Sequence, residues 1–564
     1  MALAMPYRGA LFDPLSLFVA GAQGGWYDPS DMSTLFQDAA GTIPVTAVEQ
    51  PVGMVLDKSR GLVLGPELLG TGTTQLIGTA TAASYNTSTG AGTVHRGADA
   101  ANQSFIQFSG LTAGTTYILR LSSVSGTASG VSVRLDVAAG AIVGTVFNGT
   151  TASIYATAPA SGILCLTVNG ANNANTTFTL ESIRTIAGNH LTQTTAASRP
   201  VLSARKNLAT STESLSTSAP WSAVNYTITN NAIVAPNGTQ TAARIVATAT
   251  PSATAYEVGA IGDTKATFSV YVKKDNRTIV NFLVRNATAG INLTDGNLDF
   301  DTGVIDGGWT ATAVGGGWWR VSVTVTSGFA ATDSMQFYYG ATGAVAEGLG
   351  WYVWGIQVEQ GTALTRYQRV TTSTDYDSAG FPHYLAFDGV DDFLTIGTFD
   401  MSASDKVTVC AGVRKLSDAA RGIVAEISAT SATDAGSFAL TAPESTTTSG
   451  NFGFVSGGSI AGAAVAQSAT TLAPVSRVIT GIADIAGDTA LVRLNGVQSG
   501  ATATADQGTG NYGAAYPLFV GRRGGTTLPF NGNLYGLVIR GTEATTTQIT
   551  ALERFMARQT GIAL

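Results

Sequence analysis

The sequence predicts an all-β protein, with three tandem β-sandwiches after an irregular N-terminal segment and one short C-terminal helix. Three observations carry this. A chain of 564 residues is too long for one hydrophobic core, and domains of about 100 to 200 residues imply several units. Charged residues make up only 12%, about half the usual share, while 67 glycines and abundant Thr, Ser, Ala and Asn take their place. Strand-length runs of alternating apolar and polar residues, separated by Gly, Asn and Ser turns, recur from about residue 62 onward. Regular Val, Ile, Leu, Phe and Tyr allow such segments to bury apolar area, which argues against disorder.

The bulk properties also exclude partners. The net charge is −7 and the isoelectric point near 5.1, so no basic field attracts phosphates or anionic lipid, and nucleic acid is not expected as a partner. Cys165 and Cys410 each sit inside an alternating apolar run and read as small buried residues rather than a disulfide. The opening stretch has an arginine and a short apolar patch, but Asp13 and Pro14 interrupt it, so it reads as non-secretory. No uninterrupted apolar run approaches the roughly 18 residues that span a bilayer, and membrane insertion is not expected.

Residues 1–61 lack sustained periodicity and are punctuated by Gly and Pro, which predicts an extended segment that a neighbour must order. The run from Trp26 to Ser59, WYDPSDMSTLFQDAAGTIPVTAVEQPVGMVLDKS, resembles the opening of bacteriophage and prophage virion structural proteins of the tail-fibre or minor-tail type. In those relatives the Asp-Lys-Ser element is soon followed by a Gly-Asn-His stretch. Here Gly188-Asn189-His190 stands some 130 residues later, continuing to Ser198-Arg199-Pro200. The resemblance therefore implies a domain inserted at 62–186, with 187–206 a linker continuing the N-terminal segment.

The insert reads as β throughout, with strands expected near 104–108, 116–121, 131–135, 163–168 and 177–180. Its Leu111-Thr112-Ala113-Gly114-Thr115-Thr116-Tyr117 string is similar to jelly-roll carbohydrate-binding modules. Residues 207–370 alternate more cleanly, at 266–273, 319–325 and 351–359. Asn207-Leu208, Ala219-Pro220-Trp221, Gly317-Trp318-Trp319-Arg320 and Trp354-Gly355-Ile356-Gln357, in that order, resemble the carbohydrate-binding-module-like domain of phage tail proteins. Residues 374–564 carry Phe387-Asp388-Gly389, then a strand running into the hairpin turn Asn495-Gly496, then 518–522 and 530–539. This order resembles the laminin-G-like, concanavalin A-type lectin sandwich. A helix is expected where Ile549, Leu552, Phe555 and Met556 form a stripe behind Thr caps.

Catalytic chemistry is poorly provided for. His95, His190 and His383 lie in three separate segments, with no metal-binding His spacing. The clusters Asp299/Asp301/Asp306 and Asp388/Asp391/Asp392 fall in turn-rich segments where Asp caps its own backbone. For Asp388, Asp391 and Asp392 the laminin-G resemblance implies a sharper alternative, a Ca²⁺ held by hard oxygen ligands. Sugar binding needs aromatic faces with hydrogen-bonding neighbours. Such rings concentrate in the middle domain, where alternation places Tyr352 and Trp354 opposite Trp351 and Val353, so that one set is less buried or covered by another subunit. Trp309, in a Gly-Gly-Trp turn, and Tyr339 are the outward candidates, and Tyr512, Arg522 and Arg523 are candidate ligand contacts in the last domain. Core packing is the competing reading of every one of these rings.

The expectation that follows is a non-enzymatic virion fibre or tail-associated protein. It attaches to other virion proteins through its N-terminus, reaches the outside when the host lyses, and binds host surface polysaccharide or lipopolysaccharide through its sandwiches. As a fibre component it is expected to be a homo-oligomer, a trimer by analogy. A purely structural collar, whisker or decoration protein and a polysaccharide depolymerase are the alternatives.

Overall fold

Antiparallel strands carry the backbone hydrogen bonding of the fold, and the computed structural model describes residues 12–19, 22–99, 101–250, 253–340, 346–445 and 450–564. Met1 to Leu11, the start of the leader-like stretch, lies outside the described residues. The chain divides into two compact units, one of 1–203, 382–472 and 476–564, the other of 204–381 with 473–475.

The C-terminal sandwich recruits partners from the far N-terminus. Its long strand Asn531–Arg540 lies between Tyr384–Asp388 and Lys406–Lys415 and also takes Gly24–Tyr27, with Trp26 opposite Val538. The opposing sheet begins with Leu35–Phe36, Met54–Val55 and Leu191–Thr192 before reaching Leu394–Ile396 and Leu518–Val520. The described parts of 1–61 and 187–203 thus supply short strands to the sandwich between turns and 3-10 helices, an irregular segment ordered by its neighbour. These strands run two to four residues, too short to display a period of two. Their hydrogen-bonding partners range from about 20 residues away, for Leu35–Phe36 with Met54–Val55, to several hundred, for Gly24–Tyr27 with Asn531–Arg540.

One buried carboxylate fastens this weave. Asp57, fully buried, accepts from the amides of Trp26 (2.9 Å), Ser59 (2.8 Å) and Asn189 (2.7 Å) and from the Ser59 hydroxyl (2.8 Å). The Asp57 amide donates to His190 Nδ1 (3.0 Å), and the Asn189 side chain donates to Gly24 O (2.8 Å). Burial holds the His190 imidazole below its ordinary pKa, in keeping with an acceptor nitrogen.

Both remaining domains leave and re-enter this sandwich at single points. Leu64 bridges Ile186, and Gly65 N–H donates to Thr185 O (2.9 Å), so the ends of 62–186 meet. Strand Val201–Ser203 pairs with Tyr384–Asp388, placing Ser203 opposite Tyr384, the two residues that flank the second excursion. Ends that meet make an excursion tolerable to the host fold.

The expected helix is Thr546–Thr560. Thr545 and Gln548 form a reciprocal capping box, and Gly561 closes it in the left-handed region. Leu552 and Met556 pack on Trp26, Cys410 and Val538. Gly412 and Gly536 permit that approach, since a Cβ at either would stand 3.1 or 2.9 Å from the Met556 side chain. The Asn495-Gly496 turn has both residues at positive φ and joins Thr489–Leu494 to Val497–Gln498.

The 62–186 domain is built from ten strands, from Ile142–Phe147 at one edge to Ala152–Thr157 at the other, around Phe108, Leu119, Leu121, Val133, Leu166 and Leu180. In the middle unit a five-stranded sheet (Trp221–Val224, Ala253–Ala260, Ser334–Tyr339, Ile279–Asn286, Ile291–Asp299) shares its core with a six-stranded one. Both cysteines are free and buried, and burial pushes each thiol up to about 12. Among the described residues no helix is long and apolar enough to cross a membrane.

Candidate functional site

Most of the aromatic candidates belong to the core. Trp309 is buried because Gly307 and Gly308, both at positive φ, turn the chain back so that the indole sits over Gly296, where a Cβ would stand 2.5 Å away. It stacks on Phe337, with ring centres 6.0 Å apart and planes 23° from parallel, and tilts against Phe282. Tyr339 is wholly buried, edge-on to Trp221, and burial holds its hydroxyl far above the ordinary tyrosine pKa. Both outward assignments are corrected.

Trp354 is also buried. It packs 5.2 Å from Tyr271 and 4.4 Å from Tyr367, and its indole N–H donates to Thr241 Oγ1 (2.9 Å). The second aromatic face of strand Gly350–Gln360 is thus covered by the chain's own Tyr367, Ile233 and Ala235, with Tyr352 half-buried at its margin. Tyr512 is interior too, its hydroxyl 2.7 Å from Ser456 Oγ. Arg523 compensates the fully buried Glu426, Nε lying 3.1 and 3.0 Å from the two carboxylate oxygens, and this engagement makes it a structural cation. Arg522 is half-buried and donates to Thr526 O (2.8 Å).

The acidic clusters divide. Asp299 caps the amides of Asp301 and Thr302, and Asp306 accepts from Asn297 N–H, so both fix turns. Asp388, Asp391 and Asp392 converge, each offering a carboxylate oxygen within 4.8 Å of the others. Asp388 Oδ1 accepts from Val390 and Asp391 N–H, Asp392 Oδ2 from Asp388 N–H, and Asp391 Oδ2 from the Ser198 hydroxyl. Burial pushes Asp392 up to about 6; the Asp388 amide opposes the shift, and the two neighbouring carboxylates add to it. A set of hard, mutually repelling oxygens fits a divalent cation of the Ca²⁺ kind.

The outward surface of the middle unit's five-stranded sheet offers a different arrangement. In strand Ser334–Tyr339, Met335, Phe337 and Tyr339 point into the core, so Ser334, Gln336 and Tyr338 point out. Register sets Tyr338 between Ala255 and Leu283, and Gln336 between Glu257 and Arg285. Over them lies an open depression of about 490 Å³ lined by Leu283, Arg285, Gly290, Ile291, Asn292 and Tyr338. The Tyr338 hydroxyl donates to Gln336 Oε1 (3.1 Å), which also receives Arg285 Nη1 (3.4 Å), while Gln336 Nε2 reaches Glu257 (3.4 Å). The result is a half-exposed ring held in place by a polar row, with amide and guanidinium donors beside it. No carboxylate lines the depression, so the paired acids of glycoside hydrolysis are not assembled there.

Tyr338 belongs to the ring-rich stretch of the middle domain, but Tyr339 was preferred to it as the outward ring, and Arg285 was no candidate; a signal for Tyr338 existed. Polar Ser334 and Gln336 mark the outward phase of their strand, and Tyr338 shares that phase while Tyr339 does not. Arg285 carries no such mark, since its place at the depression depends on pairing with Ser334–Tyr339.

No protein-family profile matches this chain, and no curated protein matches it. Parts of it are similar to solved structures. The Ruminococcus gnavus IT-sialidase CBM40 is 17% identical over 27% of this chain and 84% of its own, with a TM-score of 0.22. The native heptameric SAP-like pentraxin from Limulus polyphemus is 16% identical over 29% and 78%, with a TM-score of 0.24. The N-terminal CBM22-1-CBM22-2 tandem domain of Paenibacillus barcinonensis Xyn10C is 11% identical over 53% and 97%, with a TM-score of 0.26.

Proposed function

We propose that this chain is a non-catalytic, glycan-binding structural protein of a phage-type virion, and that the middle sandwich makes the sugar contact through Tyr338. One observation carries the reading. A half-exposed tyrosine is fixed on a sheet face beside Arg285, Asn292 and Gln336, over a depression of about 490 Å³ that admits a sugar ring or two. A sugar's apolar face stacks on such a ring while the amides and guanidinium read its hydroxyls.

Virion attachment falls to the N-terminal segment, which still presents Val19 and Ile43 to solvent while its strands are held in the sandwich. The Trp26 to Ser59 resemblance supports that assignment, and a trimer is the proposed assembly. In the same reading Asp388, Asp391 and Asp392 hold Ca²⁺, which would neutralise their mutual repulsion and tie the Ser198 segment to the turn. A host-polysaccharide array probed with the full chain and with Tyr338→Ala tests the sugar contact. Binding by the parent and its loss in the variant are expected, whereas equal binding by both removes Tyr338 from the account. Antibody labelling of virions tests the placement, and absence of label from the particle refutes it.

A further inference from the structure

We infer that the Tyr338 depression selects carboxylate-bearing sugars, with Arg285 as the group that reads the acid. This rests on the depression being the sugar site. Of its six lining residues, Arg285 alone is charged. Its neighbours there supply an aromatic face, an apolar floor and an amide.

Arg285 is positioned without being neutralised. Nη1 lies 3.4 Å from Gln336 Oε1 and Nη2 lies 3.3 Å from Gly290 O, both long bonds to uncharged oxygens. Some arginines are paired with carboxylates, as Arg244 is with Asp275 (2.5 Å), Arg493 with Glu553 (2.8 Å) and Arg523 with Glu426 (2.9 Å), whereas others, Arg134 and Arg199 among them, bond to uncharged oxygens as Arg285 does; what sets Arg285 apart is its place at the depression. Among the described residues Arg285 has no such ion pair. A guanidinium carries five N–H donors in a planar fork suited to bidentate carboxylate recognition, so two weak contacts leave donors for a ligand.

Two acids share this outward face: Glu257, with the strand Ser334–Tyr339 between it and Arg285, and Asp295, opposite Leu283 on the adjacent strand. Glu257 stands roughly 10 Å away at two strand spacings, about one Debye length at 0.1 M salt, and Asp295 is exposed, so salt and solvent screen the repulsion of both. Gln336 links the two sides. Its amide donates toward Glu257, and its carbonyl oxygen takes both Arg285 and the Tyr338 hydroxyl. That leaves the Tyr338 oxygen free to accept from a sugar hydroxyl while the ring stacks and the fork closes on the acid. The chain's net charge of −7 provides no long-range attraction for anions, so selectivity comes from this single contact.

The experiment uses the full chain on an array of acidic and neutral polysaccharides, followed by titration of the strongest binder and its carboxyl-reduced twin. The binders are expected to be acidic. Reduction is expected to weaken binding roughly tenfold or more, the effect of one hydrogen bond to a charged group. Arg285→Gln should weaken the acidic form far more than the reduced form and so remove most of the difference between them, and Arg285→Lys should retain part of the discrimination. Melting curves of the variants check that substitution at half-buried Arg285 leaves the fold intact. Equal binding of the acidic and reduced forms, or equal losses on both in Arg285→Gln, overturns the inference while leaving the sugar site standing. Binding insensitive to Tyr338→Ala, or no binding to any polysaccharide, overturns both.

Discussion

Replacing Asp57 by Ala should unfasten the N-terminal strands from the C-terminal sandwich. The carboxylate accepts three backbone N–H groups, from Trp26, Ser59 and Asn189, at 2.7–2.9 Å in a fully buried position. A buried donor left without a partner costs about 1–3 kcal/mol, so three give roughly 3–9 kcal/mol. Water entering the vacated space brings the expectation to about 3–5 kcal/mol. For a unit of this size about 1 kcal/mol shifts Tm by roughly 2–4 °C, so the variant should melt roughly 10 °C lower. Scanning calorimetry suits the measurement because the unit of 204–381 provides an internal reference transition, and a chain of several units is not two-state overall. Hydrogen exchange should show the amides of Trp26 and Asn189 losing protection together. Asp57→Asn keeps one good acceptor and should fall between parent and Ala. A shift below about 1 kcal/mol, or lost protection at Trp26 alone, would refute the view that one carboxylate ties these segments together.

Trp309→Ala should cost about 3–5 kcal/mol of stability in the middle unit, whereas Tyr338→Ala should leave melting within about 1 kcal/mol and weaken polysaccharide binding about thirtyfold; the opposite pattern reverses the two assignments. Joining Leu64 to Ile186 by a short Gly-Ser turn should leave a folded protein by near-UV circular dichroism, since those residues already pair. A fragment of 374–564 should instead aggregate, because Asn531–Arg540 and Leu394–Ile396 lose partners supplied by Gly24–Tyr27 and Leu191–Thr192. Asp392 has a folded pKa of about 6 against an ordinary value of 3.8, so the folded state holds its proton more tightly and stability declines as pH rises from about 4 to 6. Asp392→Asn should flatten that window in urea titrations. Millimolar Ca²⁺ should raise the parent's Tm at pH 7 and leave that of the variant unchanged, and no shift in the parent discards the ion.

The all-β architecture and the C-terminal helix were legible because each rests on local signals. Ile549, Leu552 and Met556 announce a buried stripe, and Thr545 with Gln548 announces its cap. The N-terminal strands were not legible, since a two-residue strand such as Leu35–Phe36 or Met54–Val55 shows no periodicity and becomes a strand only when its partner is in register. The rings fail for a related reason. An aromatic residue in a strand is equally a core filler or a platform, and only the phase of its neighbours decides, as Tyr338 and Tyr339 show. Trp309 eluded even that test, because the two left-handed glycines before it turn it inward. The convergence of Asp388, Asp391 and Asp392 was readable because all three lie in one turn.

Hydroxyl-radical footprinting of the full chain, with and without the polysaccharide it binds, tests the central claim most directly. Tyr338, on the outward face of the five-stranded sheet, should lose reactivity when sugar is bound. Val224, exposed on another strand of that sheet, should keep its own. Protection confined to the neighbourhood of Arg522, with Tyr338 as reactive as before, would contradict the account.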